Sequence, residues 1–186
     1  MSLRIGIVGA GANTRSRHIP GFHEIDGVEV VAVCNRSRES GQKAADEFGI
    51  ATVYENWQEL VAADDIDAVC VGTWPYLHCD ISIATLEAGK HILTEARMAM
   101  DLAEARRMQA AAKGSDRVAM IVPAPFYLES EPTLLQMVAD GAFGSLLEIH
   151  VSALGGGFDT STPLHWRQRR DLSGQNIMAM GILNET

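Results

Sequence analysis

No stretch of this sequence is apolar for long enough to cross a bilayer. A span takes about 20 consecutive apolar residues, and runs such as Val30-Val31-Ala32-Val33 stop far short of that. Basic charge is also scarce: 15 Lys and Arg face 24 Asp and Glu, a net charge of −9. Nucleic acids and anionic membrane surfaces demand clustered cations, so neither is expected as a partner. Cysteine is limited to Cys34, Cys70 and Cys79, an odd count with no C-x-x-C pair, which argues against a disulfide framework. Cys34 and Cys70 fall in strand-like runs, where a free thiol acts as a small apolar group. No His, Cys and carboxylate cluster has metal-ligand spacing, so no metal is expected. No charged leader with a cleavage site precedes the first apolar run, and a cytoplasmic, reduced protein is the expectation.

What the sequence does have is an apolar core, with 47% hydrophobic residues, and a distinctive beginning. Ile5 to Thr14 reads I-G-I-V-G-A-G-A-N-T: a strand-like run, then Gly9 and Gly11. Gly9 permits a tight turn, and Gly11 lets the backbone approach a pyrophosphate on the N-terminus of the next helix. Thr14 stands where a third glycine is usual. Gly9, Gly11, Asn13 and Thr14 are therefore the first candidate cofactor contacts.

Apolar runs then alternate with helical patterns. Strands are expected at Arg4–Val8, Glu29–Cys34, Ala68–Gly72, His91–Thr94 and Val118–Val122, rich in Val and Ile as suits parallel strands buried on both faces. Helices are expected at Arg38–Phe48, Trp57–Ala63, Cys79–Ala88 and Leu102–Lys113, with Gly49, Gly89 and Gly114 as stops. The alternation predicts an α/β fold, a Rossmann-type doubly wound parallel sheet over residues 1–122. Pro123-Ala124-Pro125 interrupts the pattern. Residues 123–186 read as the start of an α+β substrate or dimerisation domain, with a helix near Glu131–Asp140 and a strand near Leu146–Leu154. One strand cannot make a sheet, so a longer chain or a second copy is expected to complete it.

Further blocks make the pattern specific. His18-Ile19-Pro20 follows the glycine loop; Asp65-Ile66-Asp67-Ala68-Val69 leads into Gly72-Thr73-Trp74-Pro75-Tyr76-Leu77-His78, similar to T-P-N-x-x-H; Leu86-Glu87-Ala88-Gly89-Lys90-His91-Ile92-Leu93 precedes Glu95. Together they resemble the Gfo/Idh/MocA family, from Ile5 to roughly Gly181, about half of a family member. The resemblance implies an NAD(P)-dependent oxidoreductase acting on a sugar, inositol or related polyol, homo-oligomeric at full length. It also implies a proton-transferring lysine in an E-K-P motif and partners in a D-x-G-x-H block. Here Ala96 stands at the lysine and Arg97 at the proline, while alignment on Gly181 puts Ala179 at the aspartate and Leu183 at the histidine. None of Ala96, Ala179 and Leu183 titrates.

The end of the second strand bears on cofactor choice. A carboxylate there accepts hydrogen bonds from ribose hydroxyls, but this chain has Asn35-Arg36-Ser37-Arg38. Arg36 has a planar fork for a 2′-phosphate and Ser37 a hydroxyl; the alternative is that Arg36 and Arg38 are solvated helix-start residues. NADP(H) is expected over NAD(H). The resemblance sets Thr73 and Trp74 against the nicotinamide half and Glu95 against its ribose. His78 is either a proton donor or a capping and packing residue. Arg97 cannot be a general base, but it can bind a carboxylate or polarise a carbonyl oxygen. With Trp166 and Arg167 it is a candidate for substrate binding. His165 is the best replacement acid/base, with Tyr127 and Glu185 behind it, and Arg97 assists. Three functions follow: an NADP(H)-dependent oxidoreductase on a sugar-like or hydroxy-acid/carbonyl molecule, a catalytically degenerate nucleotide sensor or regulator, or an inactive fragment.

Overall fold

The computed structural model describes residues 2–122, 129–148, 150 and 161–174. Tyr127, Glu185, Ala179, Gly181 and Leu183 lie outside the described residues, as does most of the strand expected near Leu146–Leu154; Leu146 to Glu148 are not in a strand.

Six strands follow one another in the chain: β1 (Leu3–Val8), β2 (Val28–Cys34), β3 (Thr52–Tyr54), β4 (Ala68–Val71), β5 (His91–Thr94) and β6 (Ala119–Ile121). All pair in parallel, in the order β3-β2-β1-β4-β5-β6. This is the doubly wound arrangement, and its reversal point falls between β1 and β4. β3 is an addition to the five strands expected from sequence. Its three residues are all half-buried at the sheet edge, too short to show a periodicity.

Helices cover the faces. α1 (Ile19–His23) and α2 (Arg38–Phe48) follow β1 and β2; α3 (Trp57–Ala62), α4 (His78–Glu87) and α5 (Leu102–Lys113) follow β3, β4 and β5. Side chains alternate across the sheet and so build two cores. Ile5, Ile7, Val33 and Cys70 pack with Ile19, Ala44 and Ala45 on one face. Val8, Cys34, Val69 and Val71 pack with Leu60, Ile81 and Leu86 on the other. Helix starts carry side-chain caps: Ser37 accepts from the Ser40 N–H, Asn56 from Glu59 and Asp101 from Glu104, each satisfying an otherwise orphaned donor. Beyond the sheet, α6 (Glu131–Ala139) forms where a helix was expected, and α7 (Arg170–Ser173) follows a 3₁₀ turn at Trp166–Gln168. Among the described residues no helix is long and apolar enough to cross a membrane.

Candidate functional site

The site starts from the turn after β1. Gly9 has φ +90°, and a Cβ there would lie 2.7 Å from the Thr73 backbone nitrogen, so only glycine closes this turn against the loop after β4. Gly9 N–H donates to Cys34 O (2.8 Å), and Gly72 N–H donates to Val8 O (2.8 Å). The ends of β1, β2 and β4 are thereby locked side by side. A cleft of about 450 Å³ opens over them. Gly9, Ala10 and Gly11 form its floor, Asn35, Arg36 and Ser37 one wall, and Thr73, Trp74 and Tyr76 the other.

Asn35 is spent on holding this cleft together. Its Oδ1 accepts from Ala10 N–H (2.7 Å), and its Nδ2 donates to Ser40 O (3.0 Å). An aspartate would keep the first bond and lose the second. Arg36 is left facing the cleft, with its guanidinium carbon 5.5 Å from the Trp74 ring centroid. Arg38 pairs at 2.7 Å with Glu55, an exposed carboxylate that also lines the cleft. Ser37 caps α2, and its hydroxyl donates to that of Ser40 in the first turn at 3.1 Å, so two hydroxyls stand at that helix's positive end.

Two predicted cofactor contacts are buried. Thr14 is buried; its hydroxyl donates to Gly9 O (3.0 Å) and abuts Gly72. It lines no part of the cleft, and it fills the space that a third glycine would leave. His78 is fully buried, Nδ1 lying 2.8 Å from Arg97 O and Nε2 3.0 Å from Thr73 O. Burial pushes its imidazole below the ordinary value, against the pull of those carbonyls. The packing reading fits: His78 ties the loop after β4 to the segment after β5.

Glu95 emerges from β5, fixed by its N–H to Val71 O (3.0 Å). Its Oε1 lies 2.6 Å from His18 Nε2 and also accepts from Asn13 Nδ2. Burial raises the Glu95 carboxyl, but the His18 hydrogen bond and charge, Asn13 and the Ala96 N–H outweigh it, and the group sits below its usual range. In the sequence His18 stands out only as a motif residue. Its partnership with Glu95 joins positions far apart in sequence, which no local pattern reveals.

A second cluster stands beyond Trp74. The Trp166 ring stacks on Trp74 with centroids 6.1 Å apart and planes inclined by 22°. Arg167 places its guanidinium carbon 4.4 Å from the Trp166 centroid, and Arg97 places its own at 5.9 Å. The predicted substrate residues Arg97, Trp166 and Arg167 are thus in one place. His165 adjoins them, its ring centroid 5.5 Å from that of Trp166 and its Nδ1 accepting from Arg167 N–H at 3.3 Å. Trp74, expected at the nicotinamide half, lies between Arg36 and Trp166. Among the described residues no group of three or more His, Cys, Asp and Glu is arranged to hold a metal ion.

The model of an oxidoreductase family with an NAD-binding Rossmann fold, Gfo/Idh/MocA, matches residues 3–122. The chain belongs to that family. Relatives are similar over the same region. The 4-carboxy-2-hydroxymuconate-6-semialdehyde dehydrogenase of Sphingobium sp. is 33% identical over 119 residues, which are 64% of this chain and 38% of that protein. The 1,5-anhydro-D-fructose reductase of Ensifer adhaerens is 40% identical over 110 residues, 59% of this chain and 33% of that protein. The structure of a 3-ketoreductase from Actinomadura kijaniata, in complex with NADP and TDP-benzene, superposes with a TM-score of 0.67 at 26% identity, covering 76% of this chain and 43% of the other. The chain spans less than half the length of these relatives.

Within this Gfo/Idh/MocA chain the cleft fits a dinucleotide. It has a glycine floor that a Cβ would obstruct and a guanidinium at the β2 end; Glu95, after β5, is not part of its lining and pairs with His18. Ala96 occupies the position that the resemblance gives to a lysine, and its side chain offers no proton. The polar groups beside it are Glu95, whose Oε2 accepts from Ala96 N–H at 3.1 Å, and His18 behind Glu95.

Proposed function

We propose that this chain is the nucleotide-binding part of an NADP(H)-preferring oxidoreductase acting on a sugar-like or hydroxy-acid/carbonyl small molecule. The observation that carries the cofactor preference is the β2 end. The β2 end itself carries no carboxylate for the ribose hydroxyls, Asn35 is committed to Ala10 and Ser40, Arg36 faces the cleft, and Glu55, which also lines the cleft, is paired with Arg38. A 2′-phosphate would meet Arg36 and the Ser37 and Ser40 hydroxyls at the start of α2. Gly9, Gly11 and Asn13 would serve the pyrophosphate side and Thr73 and Glu95 the far half, while Trp74, 5.5 Å from the Arg36 guanidinium, stands at the 2′-phosphate end, with Thr14 and His78 holding the walls. When bound, the cofactor supplies or accepts the hydride. The chain's part is to orient the substrate and handle the proton. His165 is the proposed acid/base, its Nδ1 engaged by Arg167 N–H and its Nε2 left for the proton. Arg97 and Arg167 polarise or bind an oxygen. NAD(H) binds in the same cleft more weakly, and residues 123–186 begin the substrate domain through which a homo-oligomer forms.

The test is a titration with NADPH and with NADH, read by quenching of tryptophan fluorescence. The reading predicts tenfold or tighter binding of NADPH, and loss of that preference in Arg36→Ala. Equal binding of the two cofactors would overturn it.

Ala96 supports a second reading, a nucleotide sensor or regulator that kept the cleft and lost the chemistry. It predicts NADPH binding with no NADPH oxidation across a panel of carbonyl compounds presented to the protein with its substrate domain complete. Turnover of a single one would exclude it.

A further inference from the structure

The carboxylate that the end of β2 lacks stands one strand over. Cys34 of β2 pairs with Tyr54 of β3 in parallel register, so the next residues, Asn35 and Glu55, leave the sheet side by side. Both line the cleft, along with Arg36, Ser37 and Ser40. Glu55 is engaged there: its Oε1 accepts from Arg38 Nη1 at 2.7 Å. Arg38 is the first residue of α2 and is not itself part of the cleft lining, so it meets Glu55 from outside the cleft. Further along α2, Lys43 makes a similar pair with Glu39 at 2.7 Å, but neither of these residues lines the cleft. The two pairs share their chemistry and differ in where the carboxylate lies.

We infer that Arg38 sets cofactor preference through Glu55: the pair masks a carboxylate that would otherwise repel a 2′-phosphate and take the ribose hydroxyls of NADH. The inference rests on the cofactor reading above and adds a second determinant to it. A carboxylate at this edge of the sheet accepts hydrogen bonds from ribose hydroxyls, and its charge opposes a phosphate in the same cleft. Both effects need the carboxylate unpaired. Arg38 occupies one of its oxygens and offsets its charge, which leaves Arg36 to act on the phosphate unopposed. Arg38 is thus a positioning residue that need not touch the cofactor. Across about 8 Å of water, an unpaired carboxylate weakens the binding of a phosphate dianion on the order of fivefold. The side chains of Arg38 and Glu55 are 64% and 68% exposed, so the effect is screened by salt. A surface pair of this kind adds little to stability, and its removal should change binding without unfolding the chain.

Isothermal titration of the 186-residue chain with NADPH and with NADH tests the pair. It is run at about 10 mM and about 1 M salt, between which the Debye length falls from about 30 Å to about 3 Å. At low salt Arg38→Gln should weaken NADPH on the order of fivefold and tighten NADH by about threefold; the loss of NADPH should fade at high salt. Adding Glu55→Gln should restore NADPH and remove the gain in NADH. Arg38→Lys, which keeps the charge, should bind as the unsubstituted chain does. Lys43→Gln frees Glu39 on the same helix and changes the net charge equally, yet should leave both affinities within about twofold. If circular dichroism shows that Arg38→Gln fails to fold, Glu55→Gln alone supplies the converse: NADPH tightened by about threefold, with NADH unchanged. An unmoved ratio of NADPH to NADH affinity in Arg38→Gln, or an equal shift in Lys43→Gln, would overturn the inference. So would a loss of NADPH that the double variant does not recover, because Arg38 would then touch the phosphate itself. The cofactor reading fails separately. Equal binding of the two cofactors by the unsubstituted chain sinks that reading, while a ratio that moves toward NADH in Arg38→Gln and returns in the double variant still upholds the pair.

Discussion

Gly9 and Arg36 have opposite relations to the cleft. Gly9 makes its floor possible through absence of a side chain. At φ +90° an alanine costs about 1–3 kcal/mol in backbone strain alone, and its Cβ would be driven against the Thr73 nitrogen. Gly9→Ala is therefore expected to lower the thermal midpoint by several degrees and abolish nucleotide binding; a stable Gly9→Ala protein with unchanged NADPH affinity would contradict this geometry. Arg36, by contrast, supports no fold contact among the described residues beyond the face of Trp74. A cation–π contact at a partly exposed site contributes about 0.5–1 kcal/mol. Arg36→Ala should accordingly leave the melting temperature within a degree or two while weakening NADPH, and not NADH, by about tenfold or more.

Elements are held by caps at one end and by buried strand residues along their length. Removing the Asp101 carboxylate that accepts from Glu104 N–H at 2.9 Å should destabilise the domain by about 1 kcal/mol. Urea unfolding of Asp101→Ala should show that loss in the midpoint without a change in slope. In the strands, Cys34 and Cys70 are buried in β2 and β4, and burial pushes their thiols up to about 11 and about 12. Neither should react with iodoacetamide at pH 8 while the protein is folded, because only the thiolate attacks; rapid labelling of either without unfolding would refute the burial. Much of this level was legible in the sequence. The Val- and Ile-rich runs, the glycine turn and the stops at Gly49 and Gly89 carry local signals. β3 was not legible, because Thr52–Tyr54 is too short to display a period. The site was legible as a set of residues and not as an arrangement. Asn35, Arg36, Arg97 and Arg167 could be singled out by type and position. The contact of His18 with Glu95 and the stack of Trp166 on Trp74 depend on how the chain returns to the same edge of the sheet.

At the scale of the whole molecule, β1 and β4 are clamped at their beginnings as well as at their ends. Arg4 donates Nε and Nη2 to Asp67 at 2.9 and 2.8 Å, and its backbone N–H donates to the same carboxylate at 2.9 Å. The Arg4 side-chain and backbone hydrogen bonds pull the Asp67 carboxyl from 3.8 down to about 2. A folded-state value below the unfolded one gives stability that is present above about pH 4 and disappears as pH falls through about 2. Asp67→Asn should flatten the stability profile in that window and lower stability at pH 7 by the same amount, which solvent screening of an exposed pair keeps modest. An unchanged acid limb in the Asp67→Asn protein would show that the clamp does not contribute.

The indole stack has an optical consequence. Rings with centroids 6.1 Å apart and planes inclined by 22° bring their transition dipoles within coupling range, so Trp74 and Trp166 share their excitation, and the ultraviolet circular dichroism of this chain should contain a bisignate couplet. Trp166→Phe should erase the couplet while the third indole, Trp57, remains. A ligand that prises the rings apart would collapse the couplet before any chemistry occurs, giving a label-free reading of occupancy.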